Sequence, residues 1–288
     1  KTPVHHQMPA IKLSEGSYWG LSLTEHDEQM VLAGYHRDIS TGGSWQDITS
    51  IFTLVSLNPD SQSSWSSPNV VISDVQIRPS QGDSLAIGYG EENLHILYQE
   101  IRNDVTGIDR IGLMYTHGDP TYAAWGFQSS VGDHAKMAQL VVLANGSEDV
   151  LVASWIEGRG KDAMIAHIVT DNSWSGEAEK ITAPGATHLE LSPSSDGVQI
   201  FYDEINVYGP VTRYGLLSDS SKGQTLALSN ILTEGFLKGY AGMESDGILL
   251  VSSASGSLKM RTLVYIGDSS NQNDDSTSFL DTLLAPLP

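Results

Sequence analysis

A chain of 288 residues has ample length for a large core, but 15 Lys and Arg against 35 Asp and Glu leave it at −20, without the clustered cations that nucleic acid or an anionic membrane surface requires. No apolar run reaches the roughly 18 residues of a membrane-spanning helix. The absence of cysteine rules out a disulfide framework and thiolate-bound zinc. A chain starting at Lys1 and carrying the glycosylation triplet Asn145-Gly146-Ser147 reads as one that has passed a signal peptidase, so a secretory location is expected.

Taken in order, the chain opens on His5-His6, a solvated end, and on the short strand Ala10 to Leu13. The first unit, residues 18–73, runs YWGLSL, MVLAGY, SIFTLVSL and a strand near Trp65. The second, 74–131, has an inner strand from Ser84 to Tyr89, then LHILY, RIGLMYT and YAAWGF. The third, 132–183, has KMAQLVVL, VLVASW, MIAHIV and a last strand after Trp174; the fourth, 184–235, has THLELS, VQIFYD, RYGLLS and LALSNIL. GYAGME, ILLVSS and KMRTLVY make the fifth, 236–267, and residues 268–288 form a Ser/Asn/Asp-rich tail expected to be mobile. Three of these units align through Tyr98, Trp155 and Tyr202 and through Glu100, Glu157 and Glu204. Asn145-Gly146, Asp196-Gly197 and Asp246-Gly247 fall at one place in successive units, where a tight hairpin needs residues that tolerate positive φ.

Strand periodicity throughout, almost no helical period, and a repeat of four strands predict an all-β fold, a β-propeller of five four-stranded blades. Residues Ala10 to Leu13 match the outer strands, so the N-terminal strand is expected to complete the last blade and close the ring. The residues after each second strand are then expected at one mouth, with the Asn145 turn on the opposite face. That mouth collects Tyr18, Trp19, Tyr35, His36, Arg37, Tyr98, His134, Trp155, His188, Tyr202 and Tyr240. Aromatic groups with a few polar ones suit a flat or apolar ligand, although an aromatic recurring at one strand position equally suits packing between blades. No Gly-rich phosphate loop, H-E-x-x-H or G-x-S-x-G is present, the nine histidines are dispersed, and neither a metal nor another cofactor is expected.

The spacing and the turns Ser64-Trp65-Ser66 and Ser173-Trp174-Ser175-Gly176 resemble the fungal fucose-specific lectin type of propeller. The resemblance implies sugar sites between blades built on a second-strand Arg and a third-strand Glu. Here the equivalent positions hold His95, Val150 or Leu151, and Gln199, and no third-strand Glu repeats. A glycoside hydrolase or polysaccharide lyase would draw carboxylates from separate blades, and Glu100, Glu157, Asp203 and Glu204 are the candidates, each equally able to bond its own loop. No Asp box of the S-x-D-x-G-x-T-W form supports a sialidase.

In size, glycosylation signal and divergent mouth the chain also resembles the fungal glycosylated hetero-Diels–Alderases of tropolone-sesquiterpenoid biosynthesis. That resemblance implies a cofactor-independent [4+2] cycloaddition of a quinone methide with a terpene alkene, driven by orientation in a single pocket. No motif of that group carries a residue over; from their expected place at the mouth, His36, Arg37 and His188 are the candidates for hydrogen bonding and Tyr18, Trp19, Tyr35, Tyr98, Trp155, Tyr202 and Tyr240 those for enclosing a small hydrophobic ligand. Carbohydrate is the alternative ligand.

Overall fold

In a computed structural model, the structure describes residues 16–37, 49–58, 61–77, 85–103, 109–145, 148–171, 174, 176–194, 197–206, 209–217, 229–231, 236–243, 247–254, 257–266 and 278–283. Side chains are described only as far as Leu217. Among these residues there is no α-helix, only single 3-10 turns at Gln62–Ser64 and Gly160–Asp162.

Among the described residues twenty strands form five four-stranded sheets, each made of consecutive strands in order. The first sheet holds β1 (Ser17–His26), β2 (Gln29–Arg37), β3 (Thr49–Ser56) and β4 (Asn69–Val75). The second holds β5 (Leu85–Tyr89), β6 (Leu94–Asn103), β7 (Asp109–Gly118) and β8 (Ser129–Asp133). In the third are β9 (Lys136–Asn145), β10 (Glu148–Glu157), β11 (Met164–Thr170) and β12 (Glu179–Thr182). The fourth has β13 (His188–Ser194), β14 (Gly197–Asn206), β15 (Gly209–Leu217) and β16 (Ser229–Ile231). The fifth has β17 (Phe236–Met243), β18 (Gly247–Ala254), β19 (Ser257–Ile266) and β20 (Ser278–Leu283). The chain divides into two compact units, residues 1–157 with 167–179, and residues 158–166 with 180–288.

Period-two patterning explains why the sheets of the first unit are buried on both faces. Along β2, Val31, Ala33 and Tyr35 enter a core shared with Leu85 and Ile87 of β5 and with Leu94, Ile96 and Tyr98 of β6. The alternate residues Met30 and Leu32 pack with Phe52, Leu54 and Trp65 against the other face. A strand apolar on both faces cannot stand alone in water, so each sheet needs neighbours. Gly20, at φ +60, admits the Tyr35 ring: a Cβ there would lie 2.8 Å from Tyr35 Cδ2.

Two expected elements differ. YAAWGF is not a strand: residues 119–125 form a loop, and the fourth strand of the second sheet is β8, beginning at Ser129. The loop is held by backbone bonds from Ala124 N and Trp125 N to Val70 O and Val71 O, which take the place of a ladder with β7. The tail expected to be mobile supplies β20, paired antiparallel with β19 from Arg261↔Leu283 to Ile266↔Ser278. The outer position of the fifth sheet is thus taken by C-terminal residues. The closing strand expected at Ala10 to Leu13 lies outside the described residues, as does His5-His6.

Candidate functional site

In the first unit β2, β6 and β10 carry the expected aromatic residues, and these point inward. Tyr35, Tyr98 and Trp155 are 0%, 1% and 1% exposed. Tyr35 stacks on Trp19 with ring centroids 5.5 Å apart. Its hydroxyl accepts from Gln99 N at 2.7 Å and donates to Gln99 O at 3.3 Å, tying β2 to β6. Burial pushes the Tyr35 phenol well above its ordinary pKa, so it stays a neutral donor. Gln99, itself buried, donates through Nε2 to Ala135 O, which extends the chain of bonds toward β9. Tyr18 and His36, opposite each other in the β1–β2 register, stack at 4.5 Å; Arg37 sits opposite Ser17.

The candidate carboxylates Glu100 and Glu157 are half-buried. Glu100 ends the buried run of β6, and Glu157 ends β10, two residues beyond Trp155 and so on the same face. Trp155 Nε1–H donates to Glu157 Oε1 at 2.9 Å, which fixes the carboxylate's orientation. His134 is exposed, at φ 57, between β8 and β9. The hairpin residue Asn145 ends β9; Gly146 and Ser147 lie outside the described residues.

In the second unit, His188 of β13 is paired in register with Asp203 of β14, and its Nε2 lies 3.2 Å from Glu190 Oε1. Tyr202 is 1% exposed, and burial raises its phenol pKa to about 12, with the Glu204 charge acting in the same direction. Asp203 is buried. So is Glu204, which Arg213 Nη2 meets at 2.5 Å. Tyr240 lies on β17 at the register position opposite Leu250. His36 and Arg37 thus belong to one unit and His188 to the other.

A polar cluster that sequence reasoning did not single out lies between β6, β7 and β10. His95 Nδ1 is 2.7 Å from Tyr115 Oη, and His95 Nε2 is 3.1 Å from Asp149 Oδ2. Asp149 is 54 residues from His95, so no local spacing signals the pair. Burial lowers the His95 pKa against the raising effect of Asp149, and burial likewise lowers those of His117 and His167. Among the described residues no group of three His, Asp or Glu is placed to hold a metal ion, and no helix is long and apolar enough to cross a membrane.

No protein-family model and no curated protein matches the sequence. Solved structures do match in fold. The Trypanosoma rangeli sialidase in complex with the inhibitor DANA is 11% identical over 87% of this chain and 47% of its own, with a TM-score of 0.52. The same sialidase with sialic acid is 11% identical over the same shares at 0.51. A mannose phosphorylase from Leishmania mexicana, in complex with phosphate, is 12% identical over 88% of this chain and 89% of its own, at 0.46. The chain spans about half the length of the sialidase.

The expected cycloaddition does not stand. The solved structures that share the architecture are of a sialidase, which favours the glycoside hydrolase alternative over it. The enclosure of a hydrophobic ligand also required open aromatic faces, whereas Tyr35, Tyr98, Trp155 and Tyr202 spend theirs on the core. Five consecutive four-stranded antiparallel sheets and this likeness together make the chain a β-propeller.

Proposed function

We propose that the chain acts on carbohydrate as a glycoside hydrolase carried on a propeller of five four-stranded blades. The observation that carries this reading is the fold shared with a sialidase that takes DANA and sialic acid as ligands. The residues add support. Glu100 and Glu157 are half-buried carboxylates on second strands of one unit, each two residues beyond a buried aromatic, and Glu157 is bonded to its own, Trp155. Glycoside cleavage needs two such groups: a carboxylic acid that protonates the leaving oxygen, and a carboxylate that activates water or attacks the sugar carbon. The Trp155 bond holds Glu157 in one rotamer and suits it to the second role, and Glu100 takes the first.

A panel of chromogenic glycosides, sialosides included, tests the reading. Cleavage of at least one is expected, falling roughly 100-fold or more in Glu157→Gln and Glu100→Gln with the melting temperature little changed. Cleavage by neither the parent chain nor any variant, with no binding on a glycan array, removes the reading. Binding without cleavage instead favours a lectin. One observation favours that second reading: Tyr122 and Phe127 stand 69% and 47% exposed around a well-bonded loop, as rings that stack on sugars do. The triplet at Asn145 supports passage through the secretory route; expression in a secreting eukaryotic host followed by deglycosylation then yields a mass shift that Asn145→Gln abolishes.

A further inference from the structure

Resting on the reading that Glu100 and Glu157 act on carbohydrate, we propose that the glycan taken there is polyanionic, a chain with a carboxylate or a sulfate on successive sugar residues. The placement of charge in the first unit carries the inference. Among its described residues the Lys and Arg are Arg37, Arg102, Arg110 and Lys136, and all four stand at the strand ends where Glu100 and Glu157 stand. Arg37 ends β2, Arg102 is one residue from the end of β6, Arg110 one from the start of β7, and Lys136 begins β9. Hydrogen bonds across the sheets hold these ends together. Gln99 N donates to Tyr35 Oη, Gln99 Nε2 donates to Ala135 O, and Ile101 N donates to Gln76 O at 2.6 Å. Arg37, Arg102 and Lys136 each lie one or two residues from a bonded position.

The opposite strand ends differ. Glu25, Asp27, Glu28, Glu91, Glu92 and Asp149 lie at or beside the β1–β2, β5–β6 and β9–β10 turns, with no Lys or Arg among the described residues of that end. The bond from Glu91 N to Asp149 Oδ1 at 2.9 Å and the stack of His26 on Tyr89 at 4.3 Å bring these turns together. Asp74, Asp109 and Asp133 make the first end one of mixed charge, whereas the second offers a polyanion only repulsion. In a chain of net charge −20 that contrast selects the end from which a polyanion approaches. Arg102 and Arg110 are register partners on β6 and β7. Like charges directly opposite each other on antiparallel strands disfavour the pairing. Glu100, two residues before Arg102 and so on the same side of β6, brings one negative charge against two positive ones. A ligand anion completes the neutralisation, its oxygens taken in pairs by a guanidinium group. The cations are spread over three consecutive sheets, so a single terminal carboxylate engages those of one sheet, whereas a chain charged at successive residues meets them in turn.

Calorimetric binding to hexamers of galacturonate, mannuronate and glucuronate and to a sulfated galactan hexamer, each beside its carboxyl-reduced or desulfated form, tests the proposal. At least one acidic hexamer is expected to bind roughly tenfold or more tightly than its neutral form, and to weaken roughly tenfold between about 0.05 and 0.5 M salt, as screened charge pairs do. The uronate and sulfate arms tell which anion is taken. The double variant Arg102→Gln, Arg110→Gln is expected to lose the preference and keep its affinity for the neutral form. Glu91→Gln, which alters net charge at the other end, is expected to leave the preference intact. Should the arginine variant not fold, the paired hexamers and the salt dependence of the unaltered protein give the answer. No binding of any hexamer, equal binding of acidic and neutral forms, an affinity indifferent to salt, or a preference that survives the arginine changes overturns the proposal; cleavage of a neutral chromogenic glycoside would still uphold hydrolysis. Polyglutamate or polyphosphate bound as tightly as the best hexamer also overturns it, since charge without sugar then suffices. An acidic preference without cleavage supports the proposal and turns the reading of the site from hydrolase to lectin.

Discussion

At the scale of single residues, the buried hydroxyls and imidazoles carry more consequence than their number suggests. Tyr35→Phe keeps the ring in its core but leaves the Gln99 backbone without its hydroxyl partner, an expected loss of about 1–3 kcal/mol in urea unfolding. Tyr35→Ala also empties the core beneath Gly20 and is expected to cost about 3–5 kcal/mol. The three histidines with lowered pKa, His95, His117 and His167, set the sign of the pH dependence. Below the pKa of a free histidine the unfolded chain binds protons that the folded chain refuses, so their stabilisation is complete above that value. It is lost as pH falls through their folded pKa values. The urea midpoint is expected to be flat near pH 8 and to decline on acidification from about pH 6.5; a midpoint that rises on acidification would contradict the burial of these rings.

At the scale of elements, two segments take structure from partners distant in sequence. The loop Asp119–Trp125 is fixed to the first sheet by Thr53 Oγ1 and Asn69 Nδ2, which both donate to Pro120 O, and by a second Asn69 Nδ2 bond to Tyr122 O. Asn69→Ala is therefore expected to cost only about 1 kcal/mol globally but to expose the chain after Tyr122 to chymotrypsin, which limited proteolysis detects. The strand β20 covers the edge of β19. A chain ending at residue 267 leaves that edge with a row of unpaired backbone groups, and is expected to melt lower and to associate, as light scattering during thermal unfolding will show.

At the scale of the whole molecule, the chain's own pattern settled the class of fold. Strand after strand alternates with a period of two, turn residues recur between them, and the strand set of all five units was legible apart from one outer strand and the tail. Local pattern suffices here because consecutive strands pair with each other, so sheet order follows chain order. The pattern misassigned YAAWGF because its aromatic residues satisfy strand propensity, while its backbone bonds go to β4 in another sheet. It passed over β20 because a polar run of linker composition hides the short strand SFLDTL beyond it. The candidate site was legible only as a list. Tyr98, Trp155 and Tyr202 were identifiable as a repeat, yet a recurring aromatic at a strand end serves a pocket or a core equally well, and only the packing of neighbouring strands decided for the core. Glu157 and Trp155 were both visible in that repeat, but the hydrogen bond between them was not. The partnership of His95 with Asp149 left no trace in the sequence, because residues 54 apart meet only when two sheets stack, and stacking is set by the sum of many apolar contacts rather than by any spacing along the chain.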